Sequence, residues 1–165
     1  MITNRIWNEL CDAKKTDYYL SGYLASIRTK KKKINLIKII IALAGIITNI
    51  WFDKSSLYTL TFLTLFEVFK EFLPFLSIEE NLIDKIPEYR MLYVNKFQEL
   101  DALYLKVKNK TIPENEIMDK FLALRQLDLR IQDLDNSIHL PEKKKIFKKA
   151  EDKLAIFIQS MYNFE

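Results

Sequence analysis

Three charged side chains inside one apolar stretch carry the first chemical signal in the sequence. Glu67, Lys70 and Glu71 interrupt Leu57–Leu76 (LYTLTFLTLFEVFKEFLPFL). At 100° per residue, Thr61, Thr64, Glu67 and Glu71 gather within about a third of a helix circumference. An ionisable group at membrane depth faces protein or water and is a functional candidate by default. Rings of such carboxylates around an axis favour cations. The stripe Thr61, Thr64, Glu67 and Glu71, joined by Asn49 from the preceding apolar stretch, therefore reads as pore-lining. The plainer alternative is that Glu67 bonds to Asn or Thr neighbours.

A fourth charge belongs to the same arrangement. Lys38 and Glu71 lie equally far in sequence from the point between Lys54 and Ser55. In an antiparallel hairpin turning there, the two reach similar depth and pair, which leaves Glu67 one turn deeper without an obvious partner in its own chain. Lys70 extends its ammonium towards the headgroups.

The other chemically suggestive group is basic. Lys143–Lys145, Lys148 and Lys149 cluster at one helix start, and Arg125 and Arg130 lie on the helix before. Such clusters take up anions, including nucleotides and oligonucleotides. Arg125, Arg130, Lys144, Lys145 and Lys148 are the candidate ligand residues, and a solvated lysine-rich face is the plain alternative. The remaining chemistry is sparse. With one cysteine (Cys11) and one histidine (His139), neither a disulfide nor a Cys/His metal cluster forms within one chain. Cys11 reads as a small packing residue and His139 as a helix-boundary residue. Two glycines exclude a glycine-rich phosphate loop. No paired-acid or triad arrangement can be drawn outside the apolar stripe, so neither an enzyme nor a cofactor is expected.

The elements that would position these residues follow from hydrophobic patterning. The chain has 165 residues, few glycines and prolines, and abundant Leu, Ile, Lys and Glu, a balance that favours long helices. Its mean hydropathy of −0.09 excludes a polytopic transporter. The apolar residues concentrate in Ile34–Phe52 and Leu57–Leu76, separated by Asp53–Ser56. Each stretch has about the 17–25 residues a bilayer-crossing helix needs. On the first, Asn35, Lys38, Ala42, Gly45 and Asn49 share one face, the small and polar stripe that helix contacts in lipid use. Arg28 and Lys30–Lys33 precede it, and a positive block beside a span marks the cytoplasmic side. The same block suits anionic headgroups at about 1 kcal/mol per charge. A cleaved signal peptide fits poorly, because the apolar run starts late, is too long and lacks a small-residue cleavage site.

Around the hairpin the spacing predicts amphipathic helices. Residues 1–33 carry Ile6, Leu10, Ala13, Leu20, Leu24 and Ile27 on one face, and nothing interrupts their continuation into the first span. Trp7 and Tyr18 lie too far from the membrane for its interface and are expected to pack on later helices. A helix over 80–109 contains Pro87, which kinks its first turns or marks its true start. A linker at 109–113 precedes a helix over 113–138, whose Ile117, Phe121, Leu124, Leu127, Ile131, Leu134 and Ile138 form a coiled-coil-like seam. A last helix covers 141–162. The expected fold is an all-α membrane protein: an N-terminal cytoplasmic helix (1–33), a two-helix transmembrane hairpin (34–76) and a cytoplasmic three-helix region (80–165), with both termini inside.

This layout resembles the SLATT family, two-span effectors of bacterial nucleotide-linked conflict systems. The resemblance is carried by Trp7, Ala13, Tyr18, Tyr19 and Tyr23 in the N-terminal helix, then Arg28 and the lysine block, the tight hairpin and the helical tail. It implies a pore in the bacterial inner membrane that damages the host when a nucleotide signal reports phage. In the similar Hailong-type arrangement, the product of a partner nucleotidyltransferase holds the channel shut. No ligand residue carries over from the family. Two spans per chain do not enclose a pore, so a homo-oligomer of four or more copies is expected, taken as a tetramer. Two other readings stay open: a membrane-anchored scaffold whose bundle binds a protein, and a bundle that keeps the hairpin as its own core.

Overall fold

The computed structural model describes residues 2–51, 80–138 and 140–162; of residues 38, 41–51, 80 and 81 it describes the backbone alone. Among the described residues every regular element is a helix: α1 Ile2–Trp51, α2 Glu80–Lys108, α3 Glu114–Ser137 and α4 Lys144–Met161. The chain divides into two compact units, Met1–Leu24 with Asp84–Glu165, and Ala25–Ile83. The N-terminal helix and the C-terminal helices, separate regions by sequence, thus contribute to one unit.

Cross-helix pairs fix the directions within that first unit. Arg90 meets Asp17, Lys96 meets Glu9 and Tyr104 meets Trp7, so numbers rise along α2 as they fall along α1. Tyr89 meets Asp135 and Lys96 meets Asp128, which sets α3 antiparallel to α2. Phe147 packs on Tyr19 and Tyr162 on Trp7, which sets α4 antiparallel to α1. The four segments alternate as in an up-and-down bundle. Its core is the apolar stripe of each helix: Ile6, Leu10 and Ala13 from α1, Leu100, Leu103 and Tyr104 from α2, Ile117 and Phe121 from α3, and Tyr162 beyond α4. Burying each of the larger side chains contributes roughly 1.5–3 kcal/mol.

Local chemistry explains where the helices begin and end. α2 closes with Lys110 at φ 54°, its N–H donating to the Val107 carbonyl and that of Thr111 to the Lys106 carbonyl. This double bond pattern satisfies the last carbonyls of a helix, and here a lysine occupies the left-handed position glycine favours. Pro113 then caps α3, with Glu114 and Glu116 in its first turn against the positive helix end. α2 runs through Pro87 from Glu80, so the proline does not mark its start. Pro141 lies in the connector, and α4 begins three residues later than its sequence pattern suggests.

At one point the bundle demands a glycine. A Cβ on Gly22 would meet Ile146 Cγ2 at 2.8 Å. We expect Gly22→Ala to destabilise the unit by about 1–3 kcal/mol through overpacking, despite the roughly 1 kcal/mol that alanine adds to helix propensity. Urea unfolding of the full chain measures the net effect.

In the second unit α1 continues past exposed Lys30–Lys33. Beyond them Leu36, Ile37, Ile39 and Ile40 are 46–60% exposed. Among the described residues no helix is long and apolar enough to cross a membrane. The turn at 53–56 and the second apolar stretch, with Thr61, Thr64, Glu67, Lys70 and Glu71, lie outside the described residues, as does His139. The side chains of Lys38 and Asn49 do too, so the Lys38–Glu71 pair and the pore-lining stripe are not part of the described structure.

Candidate functional site

Leu140 and Glu142, from the residues leading into α4, border an open-mouthed cavity of about 270 Å³ that all four helices also line. Tyr19 and Phe147 form one wall, with ring centroids 6.1 Å apart and planes inclined at 67°. Tyr89 contributes another ring, and Lys15, Asp135 and Glu142 place charges around it. Three separate elements hold these groups in place. The Tyr19 hydroxyl accepts a hydrogen bond from the Lys143 N–H at 3.1 Å, tying α1 to the connector. The Tyr89 hydroxyl donates to Asp135 at 2.9 Å, tying α2 to the end of α3. Lys15 lies over the Phe147 ring at 5.6 Å and bonds to Asp12 at 2.9 Å.

Two tyrosines of the bundle resist ionisation. Burial first, then hydrogen bonding to Tyr93 and to Asp135, push the Tyr89 hydroxyl far above the ordinary tyrosine value. Burial and the Asp101 carboxylate, to which its hydroxyl donates, do the same for Tyr162. In the unfolded chain both ionise near pH 10. The stability that follows from these raised values is therefore fully present below about pH 10 and falls as pH rises above it, because the unfolded state releases protons that the folded state keeps. Unfolding titrations between pH 8 and 11 should show this fall, and Tyr89→Phe and Tyr162→Phe should flatten it.

The rest of the bundle uses charge for positioning. Asp17 is 4% exposed and takes Arg90 Nε at 2.6 Å and Lys14 Nζ at 3.6 Å. Lys14 in turn lies over the rings of Tyr18, Phe97 and Phe157 at 4.6–5.0 Å. Lys96 joins three helices through Asp128 at 2.6 Å and Glu9 at 3.5 Å. Cys11 is half-buried against the core, and burial pushes its thiol up, which disfavours the reactive thiolate. Among the described residues no group of His, Cys, Asp and Glu is arranged to hold a metal ion.

The basic residues singled out by sequence fall into two places. Lys144, Lys145 and Lys148 are exposed on the first turns of α4, beside the cavity residues Glu142 and Phe147. Arg125 and Arg130 are exposed on α3, Arg125 beside Leu122, Gln126, Asp128 and Leu129. The levels of Asp128 and Phe147 correspond to Glu9 and Tyr19 on α1, about 15 Å of helix rise apart. That separation, beyond a Debye length of about 8 Å at physiological salt, applies to Arg125; Arg130 lies five residues, about 7.5 Å of helix rise, from Asp135 at the cavity. The cavity itself was not legible beforehand. The tyrosine run in α1 was visible, but nothing in the sequence joined Tyr19 to Tyr89, Asp135 and Phe147. Comparison with models of protein families, with curated proteins and with solved structures gives no match.

Proposed function

We propose that the chain is the subunit of an oligomeric channel in a bacterial cell membrane, with both termini cytoplasmic, gated by a nucleotide or oligonucleotide from a partner nucleotidyltransferase. Opening would depolarise the membrane and arrest growth as an antiphage response. One observation carries the membrane part. Leu36, Ile37, Ile39 and Ile40 are about half exposed or more, directly after exposed Lys30–Lys33. At 100° per residue these four side chains lie on more than one face of the helix. A helix exposing apolar groups on several faces needs lipid or neighbouring copies around it, and the lysines suit anionic headgroups. The hairpin and its acidic stripe rest on sequence, and the nucleotide and the defence role on the basic clusters and the resemblance to SLATT effectors. No catalytic role is proposed.

The test has two steps. Fractionation without detergent should place the chain with membranes, and recovery in the soluble fraction would instead make the hairpin part of a soluble bundle core. Purified chain in planar bilayers should then carry current. A second reading, a membrane-anchored scaffold, draws on Met118, Leu122 and Leu129, which are 48–64% exposed along one outer face of α3. It predicts membrane association without current and without loss of membrane potential on overexpression.

A further inference from the structure

The cavity beside the connector combines features that favour one chemical class of ligand. Tyr19, Tyr89 and Phe147 are among its lining residues, and flat conjugated ligands gain affinity by packing against aromatic rings. Stacking one nucleobase on an aromatic side chain changes affinity by roughly five- to 150-fold. Asp135 and Glu142 bring carboxylates to the same space, and a carboxylate accepts hydrogen bonds from an exocyclic amino group. The volume, about 270 Å³, lies just below the 300–1,000 Å³ typical of small-molecule sites. The cavity is large enough for one base, and its mouth is open to solvent. Directly beyond Glu142, Lys144, Lys145 and Lys148 stand exposed, and no side chain caps the start of α4. Lysines beside an open helix N-terminus suit a phosphate.

We propose that this cavity binds a single amino-bearing nucleobase (adenine, guanine or cytosine), with the attached phosphate held by Lys144, Lys145 and the first turn of α4. The inference rests on the nucleotide-gating part of the function above and narrows it, since Arg125 stands at another level and takes no part. The base belongs either to a free mononucleotide or to one unit of a single strand. Thr16, Tyr19 and Leu20 at the cavity lie on the same continuous helix as Leu36–Ile40, so occupancy bears on the element that leads to the apolar segment.

Equilibrium binding to the full chain in detergent tests this, using dAMP, dGMP, dCMP and TMP and short homopolymeric single strands of the same bases. At least one amino-bearing ligand should bind more tightly than its thymine counterpart. Tyr19→Ala or Phe147→Ala should weaken binding by five-fold or more, and Leu140→Trp, which fills the cavity, should abolish it. Lys144→Ala with Lys145→Ala should weaken binding and flatten its salt dependence, whereas Arg125→Ala should change it less than two-fold. Because the ring variants remove packing, the exposed carboxylate supplies the arm that spares the fold: Glu142→Gln should narrow the preference over thymine. Binding of mononucleotides assigns a free ligand, and binding of strands alone assigns one base of a strand; either supports the site. Absence of binding at millimolar concentration overturns it. So does binding that ignores Leu140→Trp and Glu142→Gln but falls with Arg125→Ala. Bilayer current is read separately, so a chain that binds without conducting loses the channel and keeps this site, and a conducting chain that binds none of these ligands does the reverse.

Discussion

Replacing Arg90 with alanine should lower the unfolding free energy by about 3 kcal/mol, the largest loss expected from one exposed-headgroup substitution in the bundle. The cost lies with the partner that remains. Asp17 is 4% exposed, and Arg90 Nε at 2.6 Å is its shortest contact. Among the described residues the carboxylate then keeps Lys14 at 3.6 Å, an ammonium already placed over three aromatic rings. A buried charge that loses its partner costs about 3–5 kcal/mol, and the remaining lysine places this case at the lower end. Asp17→Ala with Arg90→Ala should cost less than the two single changes added, because the double change leaves no orphaned charge. Urea unfolding followed by Trp7 fluorescence reports on this unit, since Trp7 packs against Tyr104 and Tyr162 at 5.0 Å each. A loss below 1 kcal/mol for Arg90→Ala would remove the ion pair from the account of what joins α1 to α2.

Glu67→Gln should abolish cation preference in planar bilayers if the acidic stripe lines a pore. Neutral glutamine keeps the side-chain shape and removes the ring of charge that draws cations to the axis. Glu71→Gln should act differently, because Glu71 is expected to pair with Lys38, and its loss leaves an unpartnered lysine near the membrane edge. That change should reduce the amount of assembled channel more than its selectivity. Unchanged current and selectivity in both Glu67→Gln and Glu67→Ala would defeat the pore assignment and leave the scaffold reading in place.

The helices were largely legible because each carries its own period. The α3 seam reads directly from Ile117 to Ile138, and Ile117, Phe121, Ile131 and Ile138 are all buried. The continuation of the N-terminal helix into the first apolar stretch was legible for a similar reason: no helix breaker intervenes, and α1 runs to Trp51. The start of α4 was misplaced by three residues because Pro141 suits the first turn of a helix but lies here in the connector. The candidate site was less legible. Lys144 and Arg125 were legible as charge along the chain, but their placement on α4 and α3 at different levels is set by packing. Tyr19, Tyr89 and Phe147 line one cavity because α2 and α4 both run antiparallel to α1, a fact of packing that no local pattern records.

The first unit is assembled from Met1–Leu24 and Asp84–Glu165, with Ala25–Ile83 between them. Its helix α1 leaves the ribosome well before the three helices it packs against, so its core face waits for partners. Closing a loop of this length in the unfolded chain costs roughly 3–4 kcal/mol of chain entropy beyond a fixed constant. If the hairpin inserts into lipid during synthesis, as proposed, its two ends return to the same side of the bilayer before the bundle forms. The membrane then bears the closure cost, and the bundle should fold faster on the intact, inserted chain than after refolding from denaturant. On that proposal the apolar insertion acts as a kinetic clasp, setting the order in which the molecule is built.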